Sequence, residues 1–498
     1  MNLSSSIAYI PRSITNKAVT TYLLALVATN LVFMNYALDA VWWIFGITEV
    51  TIFFVFANYL SQHWMNDKCC SKRFAKSIFG SALIIRVLYV LITYWFNISQ
   101  TGDAFGYEDS DPLFYNQIGH DGAQWLSDGN WNLLDCFRQY YGLGSSARHA
   151  LGFSDTGFPI FVSIIYWLSG NGDFSIFALR LTNCLLGAWT VSLMYRLSQR
   201  HWGESTARIV AILCVLMPNL IYYCGTGLKE VLMVFLTILF IERADRLMQE
   251  RSFTIMSTFG LIAIVFYLFM IRNVLAITLI LSLLVALILS SQRVVKWGKR
   301  MAIIGVSLCF LSIMILQNTE IMSEVHSTIE EGGSGQKANM EWRATRKDAA
   351  GYANTFAKYA SAAVFAPMIF TIPFPTMVET PEQSVQKMIH GGNFCKNVMS
   401  FFTIIALFTL LFSGEWRKHV LPLAIMCGYL VVLVFSRYAQ SERFHQPILC
   451  FELMFAAYAI SRIRERKIYM TWYSIWLCVM FLAAILWNGF KLKGRGMI

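Results

Sequence analysis

The sequence is short of charge: Asp, Glu, Lys and Arg make up only 14% of its 498 residues, against roughly 25% in a soluble globular domain. A water-facing surface cannot be assembled from so few, and a soluble enzyme is excluded. The apolar runs lack period-2 alternation, which excludes a membrane β-barrel and leaves helices as the only backbone form that satisfies itself in lipid. The 11 cysteines lack CxxC or Cys/His ligand spacing, which excludes a zinc or dithiol framework. Most of them, Cys184, Cys214, Cys224, Cys309, Cys427, Cys450 and Cys478, lie in apolar runs and read as packing residues. The first apolar run is not followed by a small-residue cleavage site, so the polar stretch Met1 to Lys17 is expected to lead into an uncleaved span. Short loops and inverted hydropathy repeats, the marks of secondary transporters, are also missing.

What is present is apolar sequence. Residues of the AVILMFWYC class make up 56% of the chain, and long runs recur from Tyr22 to Trp487, on the scale of the roughly 20 residues a spanning helix needs. The fold class is therefore an all-α polytopic membrane protein. The net charge of +11 is not a nucleic-acid footprint, because the basic residues fall in bursts between the runs, the positive-inside pattern.

These bursts fix the cytoplasmic ends: Lys68, Lys72, Arg73 and Lys76; Arg196, Arg200 and Arg208; Arg243, Arg246 and Arg251; Arg293, Lys296, Lys299 and Arg300; Arg417 and Lys418; Arg462, Arg464, Arg466 and Lys467. Between successive bursts the chain crosses an even number of times. Parity then gives a cytoplasmic N-terminus and spans near 18–37, 41–60, 77–97, 175–195, 207–223, 229–247, 254–271, 274–291, 302–317, 395–413, 419–436, 446–461 and 470–488, about 13 in all. Two long external loops remain, 98–174 and 318–394. Within the first, the apolar piece 158–168 is about 11 residues, too short to cross, and is expected to lie on the outer surface as a juxtamembrane helix. In the second, the piece 356–375, interrupted by Pro367, Pro373 and Pro375, starts and ends outside and reads as a juxtamembrane or re-entrant element. The tail residues Lys491, Lys493 and Arg495 fall outside, against the charge bias.

The densest polar cluster is Glu108, Asp109, Ser110, Asp111, Pro112 and Tyr115 in the first loop. Pro112 suits the first position of a helix with Asp111 as N-cap, and Leu113, Tyr115, Ile118, Ala123 and Leu126 continue at helical spacing to Gly129. The cluster is either a capped surface helix or a set of working carboxylates: a general base, or Asp109 and Asp111 sharing a divalent cation such as Mg or Mn. Asp155, in Ser154-Asp155-Thr156-Gly157-Phe158-Pro159, is again either a helix cap or a second functional carboxylate. Lys229 stands at an outer turn beside Glu230, where it either pairs with that residue or holds a lipid phosphate. Arg272, Arg437, Arg443 and His445 lie at or near outer helix ends, where cations are disfavoured unless used. They either snorkel to headgroups or, with Lys229, surround a phosphate. Arg86 and Glu452 lie inside spans, either paired within the bundle or functional. The mixed-charge stretch 323–358 reads as a solvated loop.

In order along the chain, these residues resemble the GT-C-type integral membrane glycosyltransferases, the superfamily of protein O-mannosyltransferases and lipid A aminoarabinose transferases. The resemblance is carried by Asp111 with Tyr115 four residues on; by Thr156-Gly157-Phe158-Pro159-Ile160-Phe161 leading to Gly170; by Ala178-Leu179-Arg180-Leu181 with Leu186-Gly187-Ala188 and Tyr195-Arg196-Leu197; and by Pro218-Asn219 followed by Leu228-Lys229-Glu230. It is best over Tyr107 to Arg246. It implies two extra N-terminal helices in 1–75, a GT-C-like catalytic core in 76–300 and C-terminal helices in 301–498. Relatives have an acidic pair where Asp111-Pro112 stands, so Asp109 or Glu108 takes the second place, and their double proline at the surface helix is here the single Pro159.

The expectation is an inverting glycosyltransferase that moves a sugar from a polyprenyl-phosphate carrier to a glycan, lipid or protein acceptor at the extracytoplasmic face. Asp111 would be general base, helped by Asp109 or Asp155. Lys229, Arg272, Arg437 and Arg443 would bind donor phosphate, and Glu108, Tyr115, Glu230 and His445 would bind substrate. The expected location is the bacterial inner membrane with the site facing the periplasm. Two alternatives stay open: an O-antigen polymerase or ligase using a diphosphate-linked donor, and a lipid or glycan flippase.

Overall fold

The computed structural model describes residues 9–66, 71–108, 111–143, 151–250, 254–289, 305, 366–380, 384–436, 439, 441–462, 467–494 and 496–498. Among them there is no strand, and one isolated antiparallel bridge joins Ala37 to Val378. The helices are α1 (Arg12–Val32), α2 (Ala40–Thr51), α3 (Ala57–Asn66), α4 (Ser71–Thr101), α5 (Asp111–Ser127), α6 (Leu133–Tyr141), α7 (Gly157–Leu168), α8 (Ser175–Leu216), α9 (Pro218–Tyr222), α10 (Glu230–Glu250), α11 (Ile255–Phe269), α12 (Asn273–Leu289), α13 (Ser384–Met388), α14 (His390–Ser413), α15 (Val420–Phe435), α16 (Glu442–Arg462) and α17 (Lys467–Gly494). Five stretches are long and apolar enough to cross a membrane: Ala40–His63, Ser71–Thr101, Ser175–Leu216, His390–Ser413 and Ile468–Lys493. The chain is an all-α membrane protein, though this criterion gives five spans among the described residues rather than about 13. The expected span 302–317 and the stretch 323–358 lie outside the described residues, Gly305 apart.

Two expected spans, 175–195 and 207–223, meet in α8 without a loop between them. The helix is interrupted at one residue, Gly203, whose φ of 81° and ψ of 179° belong to a region only glycine occupies readily. On the far side Arg86 donates to the Cys214 carbonyl, and a Cβ on Gly187 would lie 2.8 Å from Arg86 Nε. The two halves of α8 therefore return side by side past α4. The second half stops at Met217, held at ψ 113° ahead of Pro218, because proline bars the helical conformation from the residue before it.

In the first long loop, α5 and α7 pack on each other and α6 closes over them. The described part of α5 begins at Asp111; residues 109 and 110 before it lie outside the described residues. The described part of the second long loop before α13, residues 366–380, packs into the bundle. Ser400 and Asn397 of α14 donate to the carbonyls of Phe370 and Thr371, and Lys396 Nζ donates to the Ile372 carbonyl at 2.5 Å. Asn488 bonds the Met377 N–H and the Pro375 carbonyl. Irregular backbone inside a membrane protein is tolerated where such groups satisfy it. The same segment accounts for the misplaced tail cation, since Lys491 is buried and donates to Thr376 and Gln386.

At the end of the bundle opposite these loops, Arg200 pairs with Glu242 at 2.8 Å and Asp245 at 2.9 Å. Trp202 Nε1 donates to His419 Nε2 at 3.2 Å, which leaves the His419 proton on Nδ1, 2.8 Å from His201 Nδ1. His201 in turn donates from Nε2 to Asp245 at 3.0 Å. Each bond in this series is satisfied when both imidazoles are neutral. Burial first, then the neighbouring His201 and Lys418, lower His419 from 6.5 to about 3. Folded protein thus leaves His419 neutral over a window in which the unfolded chain binds a proton. Stability is full above about 6.5 and lost as pH falls below it. The melting temperature in detergent is expected to fall between pH 7.5 and pH 5, and His419→Gln to flatten that slope; equal slopes in the two proteins would remove His419 as the cause.

Candidate active site

Six segments of the sequence meet at the loop end of the bundle. The turn after α4, with Gly102 at φ 75° and Gly106 at φ 60°, folds back so that Glu108 meets Arg180 of α8 at 3.0 Å. Its other oxygen accepts the Gly227 N–H at 3.0 Å, and Arg180 also donates to the Ala104 carbonyl at 3.0 Å. Burial raises the Glu108 carboxyl above its ordinary range, opposed by the Arg180 charge and the Gly227 N–H. Glu108, expected to bind substrate, is instead a buried tie between the first loop and the turn before α10.

Asp111 and Glu230 are the first residues of α5 and α10, and Arg443 joins them. Its Nη1 lies 2.8 Å from Asp111 Oδ2 and its Nε 2.8 Å from Glu230 Oε1. Exposure grades across this set: the Glu230 side chain is 1% exposed, Arg443 26% and Asp111 49%. A buried carboxylate anchors the guanidinium, and the guanidinium fixes a carboxylate open to solvent. Tyr115, one turn along α5, is buried edge-on against the Phe158 ring with centroids 4.9 Å apart. Burial first, then the carboxylates of Asp155, Asp111 and Glu230, push its phenol upward, so these acids surround it.

Lys229 pairs with Asp155 at 3.0 Å and donates to the Ile271 carbonyl at 3.2 Å. Its partner is therefore not Glu230, and Asp155 stands in an ion pair with it, near enough to Tyr115 to share that ring's surroundings with Asp111. The Ile271 bond brings Lys229 next to Arg272, whose guanidinium carbon stands 3.8 Å from the Phe444 ring centroid. Arg272 has no carboxylate partner among the described residues. Gly157 is required here by close approach: its N–H donates to the Met270 carbonyl at 2.7 Å, and a Cβ would lie 2.9 Å from that oxygen.

His445 is placed differently from expectation. Both ring nitrogens are committed inside the bundle, Nδ1 to Lys396 at 3.0 Å and Nε2 to the Ala439 carbonyl at 2.8 Å, and Lys396 lies 4.0 Å from Glu452. Asp109 and Arg437 lie outside the described residues. For the expected divalent cation, Arg443 takes one oxygen of Asp111, Oδ2, the second expected ligand Asp109 lies outside the described residues, and no group of three His, Cys, Asp or Glu side chains converges among the described residues. Sequence reading missed Arg180 as the partner of Glu108. A lone arginine in the first turns of an apolar span was the signal available.

No family profile and no curated protein matches the sequence. Among solved structures, the chain is similar to the archaeal oligosaccharyltransferase AglB from Archaeoglobus fulgidus, determined in complex with an inhibitory peptide and a dolichol-phosphate, with a TM-score of 0.44 at 11% identity, covering 85% of this chain and 56% of that one, so that it spans little more than half of that protein's length.

Proposed function

We propose that the protein is an inverting membrane glycosyltransferase that takes a sugar from a polyprenyl-phosphate carrier and transfers it to an acceptor hydroxyl or amine at the extracytoplasmic face of the bacterial inner membrane. The observation that carries this reading is the half-exposed Asp111 carboxylate, held by Arg443, whose sequence neighbour Phe444 carries the guanidinium of Arg272 on its ring. An acid and a cation without a carboxylate partner among the described residues, both at the loop end of the bundle, suit a displacement in which one site gains a proton and another gains negative charge.

In that displacement the acceptor oxygen or nitrogen attacks the anomeric carbon as Asp111 takes its proton. The anomeric C–O bond breaks, and its electron pair leaves with the lipid phosphate. Charge develops on the phosphate, where a preorganised cation is worth most. Arg272 is the principal candidate, while Lys229 contributes its field although Asp155 shares its charge. Tyr115 and Phe158 form the apolar wall behind the base, and Glu230 acts through Arg443.

Purified protein incubated with a panel of radiolabelled polyprenyl-phosphate sugars tests this. Transfer from one of them is the expected result and names the sugar. Binding of diphosphate-linked oligosaccharides alone would replace the reading with a polymerase or ligase, and binding of neither would replace it with transport. Arg272→Gln is expected to raise the KM for donor by about 10- to 100-fold, the scale of one hydrogen bond to a charged group. An unchanged donor KM would move the phosphate site away from Arg272.

A further inference from the structure

Arg86 has no part in that reading, yet it is a full positive charge in the middle of the bundle, 1% exposed. Its Nη1 and Nη2 donate to the carbonyls of Ala82 and Cys214, both at 3.1 Å, and the Cys224 thiol lies beside the guanidinium, while its Nε meets no nitrogen or oxygen acceptor among the described residues. Arg86 lines a cavity of about 20 Å³ together with Tyr223, Glu230, Gln446, Gly187 and Thr190. Two more of these side chains carry an unpartnered buried polar atom, Tyr223 Oη and Glu230 Oε2. Three such atoms around one cavity are not an accident of packing, because each buried group left unsatisfied costs about 1–3 kcal/mol.

The chemistry of the three atoms selects the occupant. Arg86 Nε can only donate, a Glu230 carboxylate oxygen can only accept, and Tyr223 Oη can do either. A cation is opposed by Arg86 and an anion by Glu230, while a molecule larger than water does not fit. One water needs roughly 10–15 Å³ and 2–4 polar partners. It would accept from Arg86 Nε, donate to Glu230 Oε2 and complete its bonding with Tyr223. We infer that this cavity binds a single ordered water that links Arg86 and Tyr223 to Glu230. Since Glu230 holds Arg443 with its other oxygen, the water fixes the carboxylate plane and thereby the direction in which Arg443 presents Asp111. Arg86 and Tyr223 are then positioning residues for the site.

The water itself is tested independently of any activity, by an experimental structure of the full chain in nanodiscs at a resolution that shows ordered solvent. One discrete peak in contact with Arg86, Tyr223 and Glu230 is expected. A cavity without a peak, a peak that depends on added monovalent cation, or direct closure of Arg86 Nε on Glu230 would overturn the inference. The positioning role rests on the glycosyltransferase reading, and Tyr223→Phe tests it. Loss of one hydrogen bond in the chain to an ionised group is expected to lower kcat about tenfold with donor KM and melting temperature unchanged. An unchanged kcat, or a loss expressed in KM or stability, would overturn it. Failure of every donor alongside a clear water peak would remove the proposed function and leave the water site standing.

Discussion

Asp111→Asn is expected to abolish turnover to within detection, a fall of about a hundred- to ten-thousandfold, while donor binding stays largely intact. The amide keeps the size of the carboxylate, so α5 can still start at this residue and the Arg443 Nη1 bond, 2.8 Å to Oδ2 in the native protein, retains an acceptor oxygen. What is lost is the ability to take a proton. Donor binding, measured by retention of a radiolabelled polyprenyl-phosphate sugar, depends on the cations around Arg272 and does not need that proton. Turnover retained in Asp111→Asn would end the assignment of Asp111 as base, and the acceptor would then have to be activated elsewhere.

Arg443→Met is expected to destabilise the protein by about 3 kcal/mol and to remove turnover as well. The stability loss comes from Glu230, which is 1% exposed and is left as an uncompensated buried carboxylate when its guanidinium goes. Breaking a buried pair from one side costs on the order of 3–5 kcal/mol; the low end applies because Arg443 itself is partly exposed. Removing both partners, in Arg443→Met with Glu230→Met, is expected to restore most of the stability and none of the turnover, since Asp111 has then lost the guanidinium that orients it. Denaturant unfolding in detergent and transfer assays on the two single variants and the double variant separate these effects. Equal stability of Arg443→Met and the native chain would show that the ion triad contributes nothing to folding.

The difference between the two variants reflects a division visible in the sequence. Asp111 stands in a dense acidic cluster ahead of a proline, and a carboxylate there is legible from local pattern. Glu230 looks like one half of a local pair with Lys229, and only the fold shows that the two turn apart, Lys229 to Asp155 and Glu230 to Arg443. Adjacent residues at a helix start point in different directions, and no spacing rule predicts which remote segment each will meet. Glu108 misled for a related reason. It shares an acidic cluster with Asp111, but the tight turns at Gly102 and Gly106 carry it inward to Arg180.

By itself, the sequence determined the class of the protein. Too little charge, long apolar runs without strand periodicity and basic bursts between them leave only a helical membrane bundle, because the hydrophobic effect and backbone satisfaction in lipid act on composition and period alone. It also led to the expectation that residues 158–168 form a short helix apart from the spans, and that Asp111 and Arg443 are candidates. The tertiary structure decided which charges work together. Pairing between residues hundreds of positions apart is set by how helices pack and where turns such as Gly203 reverse them. The same packing sent His445 and Lys491 into structural bonds and left Arg272 without a carboxylate among the described residues.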